Sequence, residues 1–260
     1  MIIVMPVWLL PFIAPGQTKI ARLEINKYES YIMKDDTLLV DELIMRDSSN
    51  LILYKLSPSS YIQVKKLTVG KQCWIFGGGS NGINGKDAKD SEPAYGVCIS
   101  GKNGLPGKNG TDGEAGKNLT IEIGALDASN VHPILFRLNG GNGGDGGRGG
   151  SGGPGSKSTS YCTCNGGAGG NGGDAGNGGN GGSLTFICKT CPTNIWQSDI
   201  LQFNLHGGYS GYGGEGSPGG APGIGADKAS KRGINGKNGN KGRHGTEGSF
   251  IYNNVYTGTR

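Results

Sequence analysis

The sequence predicts an all-β chain combined with polyglycine-II helices. An N-terminal β-solenoid or small sandwich leads into an antiparallel bundle of polyglycine-II helices with interleaved strands. Three observations predict it. Glycine makes up 54 of the 260 residues, and all but Gly16 and Gly70 lie beyond residue 76. Beyond that point glycine recurs at every third position in blocks of equal length. Short apolar segments of strand type flank each block. Hydrophobic residues at 34% and aromatics at 7% are too sparse for one compact enzyme core of this length, so the chain is not expected to be an enzyme.

The first element is an apolar segment over residues 1–18, with IIVMPVWLLPFI at its centre. It has signal-peptide length but no early Lys or Arg, and Pro6 and Pro11 interrupt it. It is too short for a membrane span. It reads as a signal peptide or as a docking segment.

Residues 19–76 form the β-strand module. TLLVDELIM (37–45), NLILYKL (50–56), YIQVKKLTV (61–69) and CWIF (73–76) are rich in strand-forming residues and are separated by turn signals. Their spacing suits successive rungs of a solenoid or a small sandwich. The apolar positions of 24–36 are too irregular for a helix.

Residues 77–260 form the glycine-rich module. Its blocks run from Gly101 to Gly116, Gly140 to Gly155, Gly167 to Gly182 and Gly233 to Gly248, each with six in-register glycines. Ile134-Leu135-Phe136 and Ile200-Leu201-Gln202-Phe203 precede glycine in the same way, which divides the module into three units, 77–139, 140–206 and 207–260. A period of three suits an extended polyglycine-II helix, which makes no internal hydrogen bonds and so needs neighbouring legs as partners. Straight legs place the loops 86–100, 156–165 and 226–232 together at one end and the strands at the other.

That separation governs the cysteines. Cys98, Cys162 and Cys164 belong to the loop end, whereas Cys73, Cys188 and Cys191 belong to the strand end. A disulfide needs Cα atoms within about 7 Å, so Cys98 is expected to pair with Cys162 or Cys164, and two of the other three with each other. Six cysteines in a thin-cored chain favour an oxidising compartment. A zinc site from Cys162, Cys164, Cys188 and Cys191 would need a leg to fold back, and no metal or other cofactor is expected.

The formal net charge of +5 is dispersed, which speaks against a nucleic-acid partner. Gly-x-Gly-x-x-Gly matches follow from the triplet repeat, and no Gly-Lys pair continues into a P-loop. His132, His206 and His244 lie far apart with no spaced nucleophile. The candidate binding residues are Lys89, Tyr95, Lys157 and Tyr161 of the loop-end segments. Tyr and basic side chains on a rigid scaffold suit a surface glycan or a protein receptor.

The runs GNGGDGGRGGSGG and GGNGGDAGNGGNGG resemble those of glycine-rich, collagen-like bacterial surface proteins. That resemblance implies an extracellular or cell-surface structural protein, a self-assembling filament or matrix subunit whose partner is itself. The apolar start MPVWLLPF and the overall plan are also similar to the polyglycine-II tip adhesins of T-even-type phage long tail fibres. That second resemblance implies attachment to a fibre or cell-surface protein through the N-terminal segment, a receptor-binding role for the distal loops, and a virion location.

Overall fold

A computed structural model describes residues 17–126, 132–191, 200–225 and 229–254. The apolar segment up to residue 16 and part of the 226–232 loop lie outside the described residues. Strands form where apolar and polar residues alternate, because alternate side chains point to opposite faces. One six-stranded sheet contains β1 (Gln17–Ile25), β3 (Thr37–Met45), β5 (Ser59–Val69), β7 (Asn118–Leu126), β9 (Leu184–Thr190) and β11 (Phe250–Asn254). A five-stranded sheet contains β2 (Ser30–Ile32), β4 (Asn50–Ile52), β6 (Cys73–Phe76), β8 (Ile134–Arg137) and β10 (Leu201–Asn204). Every strand pair is parallel. A parallel neighbour cannot be reached by a hairpin. The chain therefore crosses to the other sheet and back, and each coil adds one strand to each sheet.

The core lies between the sheets and is built from side-chain ladders. Leu38, Ile62, Ile121 and Phe186 stack in register, as do Val40, Val64, Ile123 and Cys188. Leu51, Ile75 and Phe136 face them from the second sheet. The Phe136 and Phe186 rings meet edge to face at 6.3 Å. The same corner recurs between the sheets: Tyr28, Ser48 and Gln72 each adopt positive φ (65°, 59° and 55°) where the first three coils turn. That conformation is uncommon for residues other than glycine, so the corner is specified by its hydrogen bonds, such as Ser48 N–H to the Lys71 carbonyl at 2.7 Å.

On the outer face of the larger sheet, the Tyr61 hydroxyl donates to Glu122 at 2.8 Å, and Lys189 pairs with the same carboxylate at 2.6 Å. The bond from Lys189, helped by Tyr61, holds the Glu122 carboxyl below the usual carboxylate range. Burial first, then the hydrogen bond to Glu122 and the charge of that carboxylate, pushes Tyr61 up to about 12. An unfolded tyrosine titrates near ~10. The stabilisation from Tyr61 is thus complete below the unfolded value and is lost as pH rises through about 12. A phenolate absorbance titration should show a late-titrating tyrosine that disappears in Tyr61→Phe.

After β6, β8 and β10 the chain leaves the sheets and returns to β7, β9 and β11. The three excursions stack into one arm. Their outward runs span 77–94, 140–155 and 207–223, and their return runs span 101–117, 166–182 and 233–248. Successive turns stack in parallel, with Gly82, Gly85 and Ala88 N–H donating to the carbonyls of Asn142, Asp145 and Arg148. Outward and return runs are joined as well: Gly144 N–H donates to Thr111, and Gly176 N–H donates to Gly144. A Cβ placed on Gly144 would fall on the Ile83 carbonyl, and one on Gly82 would fall on the Thr111 carbonyl. Glycine is required there by close backbone approach.

This architecture corrects the fold class expected from the sequence. Among the described residues there is no helix, and the regular structure is eleven strands in two wholly parallel sheets rather than an antiparallel bundle of polyglycine-II helices. The collagen-like reading is corrected too, because the glycine runs find their partners within one chain. The physical reason lies in the flanking apolar segments. They are rungs of sheets that run on from β1 to β11, so each glycine stretch is an excursion from a coil.

Six runs replace the four blocks seen in the sequence. Ala88, Ser91 and Ala94 occupy the glycine positions of 77–94, and Ser210 and Ser217 occupy those of 207–223. Ser217 is buried and its hydroxyl donates to the Gly149 carbonyl.

Asn and Asp fill the third position of many triplets for a structural reason. Asn81, Asn84, Asp87 and Asp90 accept the N–H groups of Asn142, Asp145, Arg148 and Ser151 at 2.6–2.9 Å. Asn142 and Asp145 then accept from Tyr209 and Tyr212. Asn171, Asp174, Asn177 and Asn180 do the same for Lys237, Asn240, Arg243 and Thr246. The Ser151 N–H is the main reason that the Asp90 carboxyl lies below its usual range.

The ends of the stack are capped by side chains. Gly141 and Gly144 N–H donate to backbone carbonyls of the preceding turn. Ser80 and Ile83, their counterparts in the first turn, donate instead to Glu114 Oε2 and Thr111 Oγ1. At the far end, Ser210, Gly216 and Gly219 N–H donate to His244 Nδ1, Asn238 Oδ1 and Asn235 Oδ1.

Candidate functional site

The distal end of the arm gathers the loops 95–100, 156–165 and 224–232, of which 226–228 lie outside the described residues. Two parallel bridges tie the loops, Val97 to Lys157 and Ser158 to Gly225. Cys98 N–H donates to the Lys157 carbonyl at 3.0 Å, and Ile99 and Ser156 exchange hydrogen bonds at 2.9 Å. A disulfide joins Cys98 to Cys162. Gly96 and Cys98 both have positive φ, which turns the first loop tightly. Cys164 is a free, buried thiol beneath the tip, with its N–H on Ser230 Oγ at 3.0 Å.

The tip exposes large apolar side chains. Tyr161 is 97% exposed, Ile224 88% and Tyr95 78%, with Val97 and Ile99 also exposed. A cleft of about 310 Å³ opens beside Tyr95 and Ile99 and is completed by Glu92, Pro93, Ala94, Ser100 and Lys102. This arrangement can bury aromatic and aliphatic surface against a partner, with Glu92, Lys102 and Lys157 as polar contacts at its rim.

Of the four binding residues expected from the sequence, the structure brings Tyr95, Lys157 and Tyr161 to the tip. Lys89 is elsewhere. It lies in the outward run, six residues before Tyr95, as much as ~20 Å back along an extended chain. The loop expected over 86–100 begins only at residue 95, because Ala88, Ser91 and Ala94 N–H remain bonded to the next turn. Val97, Ile99 and Ile224 escaped sequence reasoning. Their signal was apolar residues inside an otherwise polar loop.

The second disulfide, Cys188–Cys191, and the free, buried Cys73 lie at the sheet end. Among the described residues, no group of three or more His, Cys, Asp or Glu side chains is placed to hold a metal ion. No helix of the described residues is long and apolar enough to cross a membrane.

The two disulfides should differ in weight. Cys98 and Cys162 are 64 residues apart, and closing such a loop removes unfolded-chain entropy equivalent to about 4 kcal/mol. Calorimetry of a Cys98→Ser, Cys162→Ser protein should show a marked fall in melting temperature. The matching Cys188→Ser, Cys191→Ser protein, whose cysteines are 3 residues apart, should show a smaller one.

The chain matches no protein-family model and no curated protein. Among solved structures it is similar to a springtail antifreeze protein from Granisotoma rainieri, a nine polyproline type II helical bundle. The identity is 22%, over 65% of this chain and 92% of that one, with a TM-score of 0.13.

Proposed function

We propose that the protein is an extracellular binding protein of the adhesin kind, in which the glycine arm holds a disulfide-stapled tip away from the sheets to contact a surface receptor. The observation that carries this reading is the set of exposed side chains Tyr95, Val97, Ile99, Tyr161 and Ile224 on loops tied by Cys98–Cys162. Tyrosine gives large contact area at little conformational cost, which suits a recognition surface. The hydrogen-bonded arm behind it is a stiff support, and binding residues on loops held by a rigid scaffold are the common arrangement. Two disulfides are in keeping with an oxidising, extracellular setting.

The test is binding of the full chain to glycan and surface-protein arrays, beside a Tyr95→Ala, Tyr161→Ala protein. Binding by the parent and its loss in the variant are expected. Equal signals from the two proteins would end the proposal.

A self-assembling filament subunit is the second reading, and one observation favours it. β1 and β11 are the two outer strands of the larger sheet, so parallel pairing of β11 with β1 of another copy would extend it. Side-chain caps at both ends of the arm oppose stacking by the glycine runs. Electron microscopy of purified protein separates the readings, since long fibres would favour the filament.

A further inference from the structure

We infer a second ligand site, distant from the tip, in the notch where the arm leaves the sheets, and we assign it to an acidic oligosaccharide. The first two coils carry no excursion, so β2 and β4 stop short of the shoulder formed by the first outward run. The cleft at that step has a volume of about 590 Å³. Ligand sites commonly fall between ~300 and ~1,000 Å³.

Its floor is the outward-facing column Ile32, Ile52 and Phe76, with Ile32 60% exposed. Its wall is the backbone of Gly77, Gly78 and Gly79. Its rim is basic. Lys55, Lys117 and Arg137 line it, and among the described residues no carboxylate does. Lys117 is fixed by donating to the Lys55 and Ser57 carbonyls at 2.7 and 2.6 Å. Arg137 uses Nε on Asn139 Oδ1 at 3.2 Å, and among the described residues its two terminal nitrogens have no hydrogen-bond acceptor. The nearby Glu114 carboxylate accepts the Ser80 N–H at 3.3 Å, and that bond first, then the charges of Lys55 and Lys117, holds its pKa down. Asn81 uses its oxygen on the Asn142 N–H, so its NH2 remains a donor.

The cleft is thus rich in donors and poor in acceptors, with an apolar floor. A sugar ring bearing carboxylate or sulfate groups matches both features. Its anionic groups suit the arginine fork and the lysines, and its apolar ring face suits Phe76 and Ile52. A neutral saccharide would offer no anionic group to Arg137, nor to Lys55 and Lys117, whose charges Glu114 offsets only in part.

The experiment is calorimetric titration of the full chain with a galacturonate trisaccharide, a sulfated heparin-derived trisaccharide and a neutral galactose trisaccharide. At least one acidic ligand should bind about tenfold more tightly than the neutral one and weaken as salt is raised. The two acidic arms identify whether carboxylate or sulfate is preferred. Lys55→Gln with Arg137→Gln should reduce affinity about tenfold with no change in melting temperature, because both side chains are exposed. Tyr95→Ala with Tyr161→Ala should leave it unchanged, which keeps this site distinct from the tip. The inference is overturned by no binding of either acidic ligand, by equal affinity for the neutral one, by indifference to the Lys55 and Arg137 changes, or by loss of binding in the tip variant.

Discussion

Replacing Phe186 with alanine is expected to lower the unfolding free energy by about 4 kcal/mol, in the range for a fully buried phenylalanine. Phe186 is 0% exposed and sits at a junction of ladders. Ile121 lies beside it in register, Phe136 meets it edge to face, and Tyr252 stacks on it at 6.1 Å. Ile121 and Phe136 belong to strands paired on both sides, so they cannot close the void, although Tyr252 lies on the outer strand β11. Urea unfolding followed by tyrosine fluorescence measures the change. Phe203→Ala is the comparison. That ring is 44% exposed and stacks on Phe250 at 4.5 Å, so it should cost clearly less. Equal costs at the two sites would contradict a core centred on Phe136 and Phe186.

Gly144→Ala is expected to cost about 3 kcal/mol or more, although it adds only one methyl group to a chain rich in surface. Overpacking commonly costs ~1–3 kcal/mol where side chains can shift. Here the new Cβ would overlap the Ile83 carbonyl, and backbone cannot rotate away as a side chain does. The run would have to separate from its neighbour, breaking the Gly144 N–H bond to Thr111 and disturbing the bonds beside it. Hydrogen exchange should therefore accelerate at Gly141, Gly144 and Gly147 together while the sheets stay protected. Gly78→Ala is the control, since a Cβ there meets its nearest neighbour, Asn139 Oδ1, at 3.3 Å and the site is exposed.

Much of the molecule can be read from its residues. The strands within 37–76 announce themselves by alternation, and the triplet period announces four of the six runs. The other two were implied by the three units but do not form regular six-glycine blocks, because alanine and serine are small enough for positions such as 88, 91 and 217. The pairing partners were less accessible. Tyr61 pairs with Thr37 on one side and with Thr120 on the other, so one sheet is continuous across a large jump in sequence spacing. Spacing alone suggested a change of architecture at that jump, whereas the structure inserts arms into an unchanged coil. The Asn and Asp ladder was legible as composition but not as function, because its partners lie a whole turn away. At the tip, two tyrosines and Lys157 were singled out by residue type, while Val97, Ile99 and Ile224 were not, although apolar residues in a polar loop were there to be noticed.

The cross-bonded runs also bear on how such a chain can diverge. The stacked runs bond partners a full turn away, at separations of 61 and 67 along the outward runs and 65 and 66 along the return runs. A residue inserted into one run would shift every later bond out of phase. Even a whole triplet would leave its new groups without partners unless the other runs gained one as well. Reach is therefore locked by mutual dependence. The end loops are held by two bridges and one disulfide rather than by a repeating ladder, and the change in separation from 61 to 65 places four extra residues in the second tip loop, which carries Tyr161. Descendants of this gene should keep the length of the arm and freely rewrite what it carries.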